Sequence, residues 1–493
     1  MTSRVGLRRQ LNAFDVTNLV VGSIIGADIY VAAALGSKLV GPISLVLWLV
    51  AGAMAAVIAL SFSYCAAILP RVGGSYAYTR EVAGPFAGFI VGWALLLAEW
   101  FSLAVFPVAF TQYFLYLVPS LDQSSQAVLK GIFILIILVT NVFGVKLAGR
   151  FNDFLTMGKL SPLILLMALG LLFVFLRPEA SLSNFHPLIK GNLRDAGQAL
   201  VLIFWAYAGF ELSTLPADEV QKPRKTIPKA IAVGMLIVTV FYLITNFVII
   251  AVVDQKTLAS SAAPLTVAAG TIFGLLPDLA EIGILLIWVG ALVSIMGADE
   301  SGTIGTSRLA FAMSLDGLLP RVFSRLHRSF KTPYLGLVLL CSTAFVASVL
   351  STLSELINSS VFLLSFAYLS TCLSTIQLER IHERSSSKLR VEMIILVLGI
   401  IFSLVLMSQV SLQQTMVSLL LLALGVPLYI FFSPKRELHE LKQTFLSQEE
   451  ILRRTYDQGE RFLAYPVRRI KWLVYRVKRI ERAWIVEDSE DGS

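Results

Sequence analysis

The sequence predicts an all-α polytopic membrane protein with about twelve transmembrane helices. Of its 493 residues, 56% are hydrophobic and only 15% are charged, whereas a soluble globular protein carries about 25% charged residues. Apolar runs of about 20 residues, long enough to cross the hydrocarbon core of a bilayer, recur along most of the chain. The net charge of +8 lies in loops and in the C-terminal tail, so it indicates membrane orientation and not nucleic-acid binding.

The predicted elements follow one another as apolar runs separated by loops that contain charged residues, Gly or Pro. An N-terminal stretch, 1–13, precedes a transmembrane domain at 14–433, and a basic tail, 434–493, follows it. Residues 262–276 are expected to form a short pair of helices outside the membrane. The predicted spans are 14–36, 41–69, 85–118, 127–147, 152–176, 195–217, 228–253, 279–306, 333–352, 357–378, 391–410 and 412–433.

Loop charge predicts the orientation of these spans, because basic loops remain in the cytoplasm. The loops that fall on the side of the N-terminus are basic, and the opposite loops hold far fewer Lys and Arg residues. We therefore expect an integral protein of the plasma membrane with both termini in the cytoplasm. The cysteines all lie in apolar spans, so we expect neither a disulfide nor a metal site. The basic loops are 70–83, 146–150, 218–229, 308–331 and 379–390, and the cysteines are Cys65, Cys341 and Cys372.

The middle of the first span contains residues that a continuous membrane helix disfavours: Gly22, Ser23, Gly26 and Asp28. Each glycine costs about 1 kcal/mol of helix propensity, and a charge at this depth costs at least about 2.5–3.5 kcal/mol. Irregular backbone at membrane depth is tolerated where it lines a cavity or is covered by protein. We predict a helix break that faces a binding site. The alternative is close helix packing through two small residues, which does not account for the aspartate.

The sixth span has a similar interruption near Ala208 and Gly209. The two interrupted spans are five spans apart, and because five is odd, two units of five helices would be inserted with opposite orientations. Paired interrupted spans at corresponding positions are typical of inverted-repeat transporters. The sequence therefore predicts a first repeat at 14–177, a second repeat at 193–378, and two further helices at 391–433.

Several stretches resemble motifs of the amino acid–polyamine–organocation (APC) superfamily of permeases. Together they follow the family order across roughly residues 10–430. The resemblance implies the LeuT-type fold, a 5+5 inverted repeat with helices 1 and 6 unwound. It also implies transport of amino acids, polyamines or related organic cations, coupled to protons, to sodium or to exchange. The stretches are 22–26, 70–78, 204–211 with 217–223, and 307–308 with 316–320.

The two helix breaks would expose main-chain groups to a substrate. Amide groups around Gly26, Ala27 and Asp28 suit a carboxylate, and carbonyl groups near residues 205–208 suit an ammonium. The resemblance places Ile24, Ala27 and Asp28 against the substrate on helix 1, and Trp205 and Ala208 on helix 6, with Trp205 as an aromatic gate. The predicted substrate-binding residues are Gly22, Ser23, Ile24, Gly26, Ala27, Asp28, Glu99, Trp205, Ala206, Ala208 and Gly209.

Asp28 departs from the pattern of relatives that bind an α-carboxylate, because those usually have glycine at this position. It is one of five acids at membrane depth, with Glu99, Glu211, Asp299 and Glu300. Such carboxyl groups hold protons or a cationic ligand. For Glu99 the alternative is a polar contact to a neighbouring helix. For Glu211 a role in gating or proton transfer and a role in capping or positioning helix 6 are both open. Asp299 and Glu300 are adjacent and point to different faces of their helix, so we expect at most one of them to face the site.

Lys159 is the only base at comparable depth, about 12 Å from the cytoplasmic entry of its span. One interpretation is a side chain that extends to the membrane surface. The resemblance implies another, because sodium-independent members have a lysine here whose ammonium stands where sodium would bind. Loss of its proton would loosen helix 1 from helix 5 and so couple a proton to transport.

The function predicted from these residues is secondary active transport of amino acids or related organic cations, coupled to protons. A polyamine or cationic-amine transporter or exchanger is the alternative, and a substrate sensor without transport is the hypothesis from a different class. Nothing in the sequence indicates an enzyme, a metal or a cofactor. In the tail, residues 466–485 alternate basic and apolar side chains, which favours a helix on the anionic membrane surface; a solvated tail is the alternative.

Overall fold

A computed structural model describes residues 12–26, 28–69, 74–143, 145–213, 220–274, 277–381 and 388–434. The predicted tail helix at 466–485, Ala27, and parts of the motifs at 70–78 and 217–223 lie outside the described residues.

The described part of the first half of the chain forms seven helices. The first predicted span is divided between α1 and α2, and a 3₁₀ turn, Gly41–Ile43, leads into the second span. The helices are α1 (Ala13–Ile24), α2 (Asp28–Val40), α3 (Ser44–Ile68), α4 (Gly74–Leu117), α5 (Gln123–Val142), α6 (Val145–Leu176) and α7 (Pro178–Ser183).

The second half repeats this arrangement with a divided helix at its start and adds two further spans at its end. A 3₁₀ turn, Arg321–Ser324, lies in the loop after α13. The helices are α8 (Leu193–Trp205), α9 (Phe210–Ser213), α10 (Pro223–Val252), α11 (Gln255–Ser260), α12 (Pro264–Phe273), α13 (Pro277–Leu315), α14 (Tyr334–Leu350), α15 (Leu353–Ile381), α16 (Lys388–Gln409), α17 (Leu412–Ala423) and α18 (Gly425–Phe432).

Both divided helices begin with the same capping arrangement. The side chain of Asn12 accepts hydrogen bonds from the amides of Phe14 and Asp15, and the carboxylate of Asp15 accepts one from the amide of Asn12. Asn192 and Asp195 form the same reciprocal bonds at the start of α8. Such caps satisfy amide groups that the first turn of a helix leaves without partners. The two repeats therefore share a local sequence signal, Asn-x-x-Asp, that the sequence analysis missed.

Within the described residues, nine helical stretches are long and apolar enough to cross a membrane. Three shorter apolar helices, Ser161–Leu176, Pro264–Phe273 and Tyr334–Leu350, add to them. The all-helical polytopic architecture is therefore confirmed, while the number of about twelve spans stays a prediction.

Three boundaries differ from the sequence prediction. The loop predicted at 70–83 is helical from Gly74, because α4 continues through a kink at Gly84, whose φ of 85° suits glycine. Helix α13 extends to Leu315 and not to 306, so it carries Ser307 and Arg308 on its last turns. The outer helix pair, α11 and α12, begins at Gln255, seven residues earlier than 262.

Long-range packing brings the divided helices together at the centre of the fold. Helix α4 packs along α15, α3 along α10, and α6 along α13. Helix α1 packs on α10, and α2 packs on α8. Aromatic rings fill the space beside the second break, where Phe62, Phe210 and Tyr368 have centroids 5.2–5.7 Å apart. The two breaks are thus held against a continuous apolar core.

Candidate functional site

The first transmembrane helix is interrupted at mid-length. Helix α1 ends at Ile24, Ile25 is extended with φ −70° and ψ 98°, and helix α2 begins at Asp28. The predicted interruption is therefore confirmed, although it starts later than expected because Gly22 and Ser23 are still helical. Asp28 stands in the first turn of α2, where the positive end of the helix dipole stabilises a carboxylate.

The second interruption is confirmed between α8 and α9, where residues 206–209 form turns. Gly209 has a φ of 112°, and a Cβ at this position would lie 2.6 Å from the carbonyl oxygen of Ser23. Only glycine permits this backbone conformation and this approach together. The second break therefore contacts the last turn of α1 through main-chain atoms of Gly209 and Ser23.

A cavity of about 80 Å³ lies between the two breaks. It is bounded by α1 and α2, by α4, by α8 and α9, and by α13 and α15. The residues that line it are Gly22, Ser23, Gly26, Asp28, Glu99, Ser102, Leu103, Phe106, Trp205, Ala208, Gly209, Glu211, Ala298, Ser301, Gly302 and Leu364.

Gly22 borders the cavity and does not mediate close helix packing. A Cβ built on Gly22 would meet no atom within 4 Å, and one on Gly26 would make an ordinary contact with Ala298 at 3.4 Å. A small-residue packing motif would leave no such space. The alternative interpretation of this glycine pair is therefore wrong for Gly22.

Three carboxyl groups surround the cavity. Asp28 is 9% exposed and Glu211 is 4% exposed, and Glu99 lies within hydrogen-bonding reach of Glu211. Asp28 is close enough to interact electrostatically with Glu99 and with Tyr242. None of the described residues that line the cavity is Lys, Arg or His. The cavity therefore concentrates acidic groups in a low-dielectric environment.

Glu211 also holds the second break in shape. Both of its carboxylate oxygens accept hydrogen bonds from the amide of Gly209 at 3.1 Å, and one of them accepts a hydrogen bond from the hydroxyl of Tyr368 at 3.1 Å. A carboxylate at this position satisfies an amide that the interrupted helix leaves without a helical partner. The capping role considered for Glu211 is thus present in its geometry, and a gating role stays a prediction.

Trp205 closes one side of the cavity. Its indole nitrogen donates to the hydroxyl of Ser102 at 3.2 Å, and Ser102 and Ser360 share a hydrogen bond at 3.0 Å. The ring of Phe106 packs 5.8 Å from that of Trp205. These contacts fix the indole at the boundary between α4 and α8.

Several predicted site residues lie outside this cavity. Ile24 and Ala206 are fully buried, and neither lines it. Asp299 lines a separate small cavity together with Cys341, and its carboxylate accepts a hydrogen bond from Thr303 at 3.5 Å.

Glu300 also lies outside the cavity between the breaks, and its carboxylate accepts a hydrogen bond from Thr140 on α5 at 2.8 Å. Asp299 and Glu300 do face different neighbours, but neither lines the cavity between the breaks. Lys159 lies on α6, and the contacts of its side chain are outside the described part of the structure.

Two of the four carbonyl groups that were expected to be free for an ammonium have partners. The carbonyl oxygen of Trp205 accepts a hydrogen bond from the amide of Ala208 at 3.0 Å, and that of Ala206 lies 3.0 Å from the hydroxyl of Tyr242. The expectation is therefore wrong for Trp205, whose carbonyl closes the turn, and the Ala206 carbonyl shares the Tyr242 hydroxyl with Ile24. For the carbonyls of Tyr207 and Ala208 the expectation stays a prediction.

Sequence reasoning missed other lining residues that helical spacing could have found. Starting from Glu99, positions 102, 103 and 106 repeat at the spacing of one helix face, and on α13 positions 298, 301 and 302 do the same. Leu364, on α15, had no signal of this kind. Among the described residues, no group of three or more His, Cys, Asp or Glu side chains is arranged to hold a metal ion.

Two interrupted membrane helices around a shared buried cavity define a membrane transporter of the broken-helix class. A family model described as amino acid permease matches residues 11–432. The chain belongs to this amino acid permease family, within the APC superfamily. It is therefore an integral membrane transporter and not an enzyme.

Individual relatives agree with this assignment. The methylthioribose transporter of Bacillus subtilis (strain 168) is 28% identical over 460 residues, which cover 88% of this chain and 95% of that protein. The serine/threonine exchanger SteT of the same organism is 28% identical over 377 residues, covering 74% and 82%. The cystine/glutamate transporter of Homo sapiens is 27% identical over 375 residues, covering 74% and 72%.

A solved structure shows the same fold. MhsT, crystallised in complex with L-phenylalanine, matches with a TM-score of 0.60 and 13% sequence identity, covering 83% of this chain and 99% of that chain. The likeness shows the LeuT-type fold that the sequence motifs predicted.

Proposed function

We propose that the protein is a proton-coupled secondary active transporter of amino acids or related organic cations, working by alternating access. The observation that carries this proposal is the grouping of Asp28, Glu99 and Glu211 around one cavity at the two helix breaks. No described Lys, Arg or His lines that cavity to neutralise them. A cationic ligand and transferable protons are the two ways to balance such a group.

A positively charged ammonium group is the substrate feature that best fits Asp28. Two similar proteins are named for amino acid exchange or transport, the serine/threonine exchanger and the cystine/glutamate transporter. An amino acid would bring its ammonium to the carboxyl groups. A polyamine has no carboxylate that Asp28 would repel. Asp28 therefore also supports the alternative function, a polyamine or cationic-amine transporter or exchanger.

The Glu99–Glu211 pair supports proton coupling. Two carboxylates are both acceptors, so a hydrogen bond between them requires that one carries a proton. The pair lies beside the cavity, where a proton on it removes one negative charge and so lowers the repulsion of a substrate carboxylate. Substrate binding and proton uptake are thereby linked in this proposal.

Lys159, Asp299 and Glu300 are proposed to contribute to coupling outside the cavity. For Lys159 the proposal rests on its position on α6 and on the family resemblance, which implies an ammonium in place of sodium. For Asp299 and Glu300 it rests on burial, because they are 2% and 0% exposed. A buried carboxyl group favours its neutral form and therefore binds a proton readily.

Reconstitution into liposomes tests transport directly. Ligands are first chosen by a thermal-shift screen of amino acids and polyamines on purified protein, because a bound ligand stabilises the folded state. Concentrative uptake driven by an inward proton gradient is expected without sodium. Binding without accumulation would instead support a substrate sensor, and accumulation only with a sodium gradient would contradict proton coupling.

We further propose a plasma-membrane location with both termini in the cytoplasm, supported by the excess of Lys and Arg in the loops on that side. The three native cysteines are buried, so single cysteines can be introduced at Ser183 and Ser329, which are both exposed. A membrane-impermeant maleimide added to intact cells should label the cysteine at 183 and not the one at 329. The reverse pattern would invert the topology.

A further inference from the structure

A second cavity, of about 210 Å³, lies at the end of α13 that leads into the basic loop 316–333. It is separate from the cavity between the helix breaks and shares no lining residue with it. Its walls come from the last turns of α5 and α13, from the loop, and from the first turn of α14. The lining residues with apolar side chains are Ile304, Phe311, Leu326, Pro333 and Leu337.

Two cations border this cavity. Arg308 and Lys331 both line it, and neither side chain forms an ion pair or hydrogen bond with any residue that the structure describes. No Asp or Glu is among the described lining residues. Two acids are equally near to Arg308 along the chain, and both have other partners. Asp316 accepts hydrogen bonds from Arg80 at 3.0 Å and from Tyr76 at 2.6 Å, and Glu300 accepts one from Thr140 at 2.8 Å.

The neutral polar groups of the cavity are satisfied within the protein. Ser307 donates to the carbonyl of Ile304 at 3.0 Å, and the amide of Asn141 donates to a carbonyl one turn earlier on α5 at 2.9 Å. Thr332, 3% exposed, donates to the carbonyl of Val142 at 2.8 Å and so fixes the loop to α5. The uncompensated chemistry of the cavity is therefore a pair of positive charges beside an apolar wall.

The surroundings of the cavity are apolar as well. Leu326 is 42% exposed and Phe330 is 39% exposed in the loop, and on the first turns of α14 Val338 is 41% exposed. Exposed apolar side chains next to basic residues are typical of the level where a protein meets lipid headgroups. An occupant with an anionic head and an apolar chain matches both parts of the site.

We propose that this cavity binds an anionic phospholipid, with the headgroup phosphate between Arg308 and Lys331 and an acyl chain against Phe311 and Leu337. Basic pockets between membrane helices on the cytoplasmic side are suited to such headgroups. The proposal does not depend on the substrate or the coupling ion of the transporter, because the site shares no residue with the central cavity.

Native mass spectrometry of the full-length protein with added phosphatidylglycerol or phosphatidylcholine tests this proposal. The wild type should retain phosphatidylglycerol in preference to phosphatidylcholine. The Arg308→Gln/Lys331→Gln variant should bind it roughly 25-fold more weakly, since each of the two cations near an anionic lipid contributes roughly fivefold. The Lys225→Gln/Lys229→Gln variant removes the same charge from exposed residues of the basic side outside the cavity, and should bind as the wild type does.

Two further arms separate a lipid from a free anion and from misfolding. Phe311→Ala should weaken retention of phosphatidylglycerol, and millimolar inorganic phosphate should not displace the lipid from the wild type. Each variant should keep the thermal shift that a central-cavity ligand produces. Displacement by inorganic phosphate, or equal loss of lipid in the Lys225→Gln/Lys229→Gln variant, would overturn the proposal, as would undiminished lipid binding in the Arg308→Gln/Lys331→Gln variant.

Discussion

The hydroxyl of Tyr242 lies 2.8 Å from the carbonyl oxygen of Ile24, the residue at which α1 ends. The same hydroxyl lies 3.0 Å from the carbonyl oxygen of Ala206, the first residue after α8. Tyr242 is fully buried on α10, which packs against α1. A side chain on a third helix, α10, therefore connects the C-terminal end of α1 to the C-terminal end of α8.

We expect Tyr242→Phe to weaken substrate binding and to slow transport while the protein still folds. The change removes the single hydroxyl proton that the two buried carbonyl oxygens share, and a buried group left without its partner costs about 1–3 kcal/mol. Without this hydrogen bond the backbone at the breaks should shift, and the affinity for substrate should fall by roughly tenfold. The measurement is substrate affinity by thermal shift together with initial rates of uptake in liposomes.

Tyr113→Phe is the matched control for this variant. Tyr113 is also fully buried, and its hydroxyl donates to the carbonyl of Tyr30 at 2.6 Å. The control loses a comparable bond between helices, made to the first turn of α2 and not to a residue of either break. If both variants lost stability to a similar extent and neither changed substrate affinity, Tyr242 would have only a structural role.

Gly209→Ala and Gly22→Ala should have opposite effects on stability. At Gly209 the φ of 112° and the approach to the Ser23 carbonyl exclude a side chain, and strain of this kind costs on the order of 1–3 kcal/mol. At Gly22 the backbone is helical and the space is open, so alanine should leave the thermal midpoint unchanged or slightly higher.

Substrate binding distinguishes the two glycines further. The methyl group of Gly22→Ala would project toward the cavity that this residue lines, so substrate affinity should fall in a protein of normal stability. Thermal unfolding without and with substrate measures both effects. Normal affinity in the Gly22→Ala variant would show that the cavity does not hold substrate at this position.

The helix breaks were predictable because glycines and an aspartate stand out within an apolar run, as at Gly26 and Asp28. The residues that secure the breaks were not. Tyr242 lies in the stretch Phe-Tyr-Leu at 241–243, which has the pattern of an ordinary apolar helix. Its role depends on two carbonyl groups 36 and 218 residues away in sequence, and only the folded chain brings these together.

The group of buried acids was also predicted only in part, because its arrangement depends on the folded chain. Burial depth in a span is readable from sequence, so all five acids were identified as membrane-embedded. Which of them share a cavity depends on how each helix is rotated, and the rotation of α13 turns Asp299 and Glu300 toward α14 and α5. Helix rotation follows from packing between helices and leaves a weak trace in a single sequence.

Asp28→Asn should selectively weaken cationic ligands. The change removes a negative charge at the cavity and keeps the side-chain size, and a hydrogen bond to a charged group contributes about 1.5–3 kcal/mol. Affinity for an amine should therefore fall roughly tenfold to hundredfold, while that for a neutral analogue of the same shape should change little. Isothermal titration with ligand pairs of equal size measures the difference.

Asp278→Asn makes the same chemical change at an exposed residue in the first turn of α13, and should not alter ligand affinity. Unchanged uptake of every positively charged amine by the Asp28→Asn variant would contradict an acidic binding pocket.

Glu99→Gln should flatten the dependence of uptake on pH. In the wild type, a hydrogen bond between Glu99 and Glu211 requires a shared proton, which is present at low pH and lost as the pH rises. Uptake should therefore fall toward alkaline pH. Glutamine donates a hydrogen bond at every pH, so the variant should show nearly the same rate across that range.

Uptake under a fixed membrane potential at a series of pH values measures this effect. Glu281→Gln, at an exposed position on α13, should retain the wild-type profile. A Glu99→Gln variant whose uptake still falls with rising pH as in the wild type would place the transferable proton elsewhere, with Asp299 and Glu300 as the buried carboxyl groups to test next.

Lys159→Ala should abolish stimulation of uptake by an inward proton gradient without creating a requirement for sodium. The reason is that an ammonium in the membrane interior is costly, so this group can release its proton during the transport cycle and regain it from water. Lys256→Ala, at an exposed position on α11, serves as the control and should keep the stimulation. The measurement is uptake in liposomes with an imposed proton gradient, in potassium and in sodium buffers of equal strength. A strict sodium requirement in the wild type, or full proton stimulation in the Lys159→Ala variant, would show that this lysine does not carry the coupling proton.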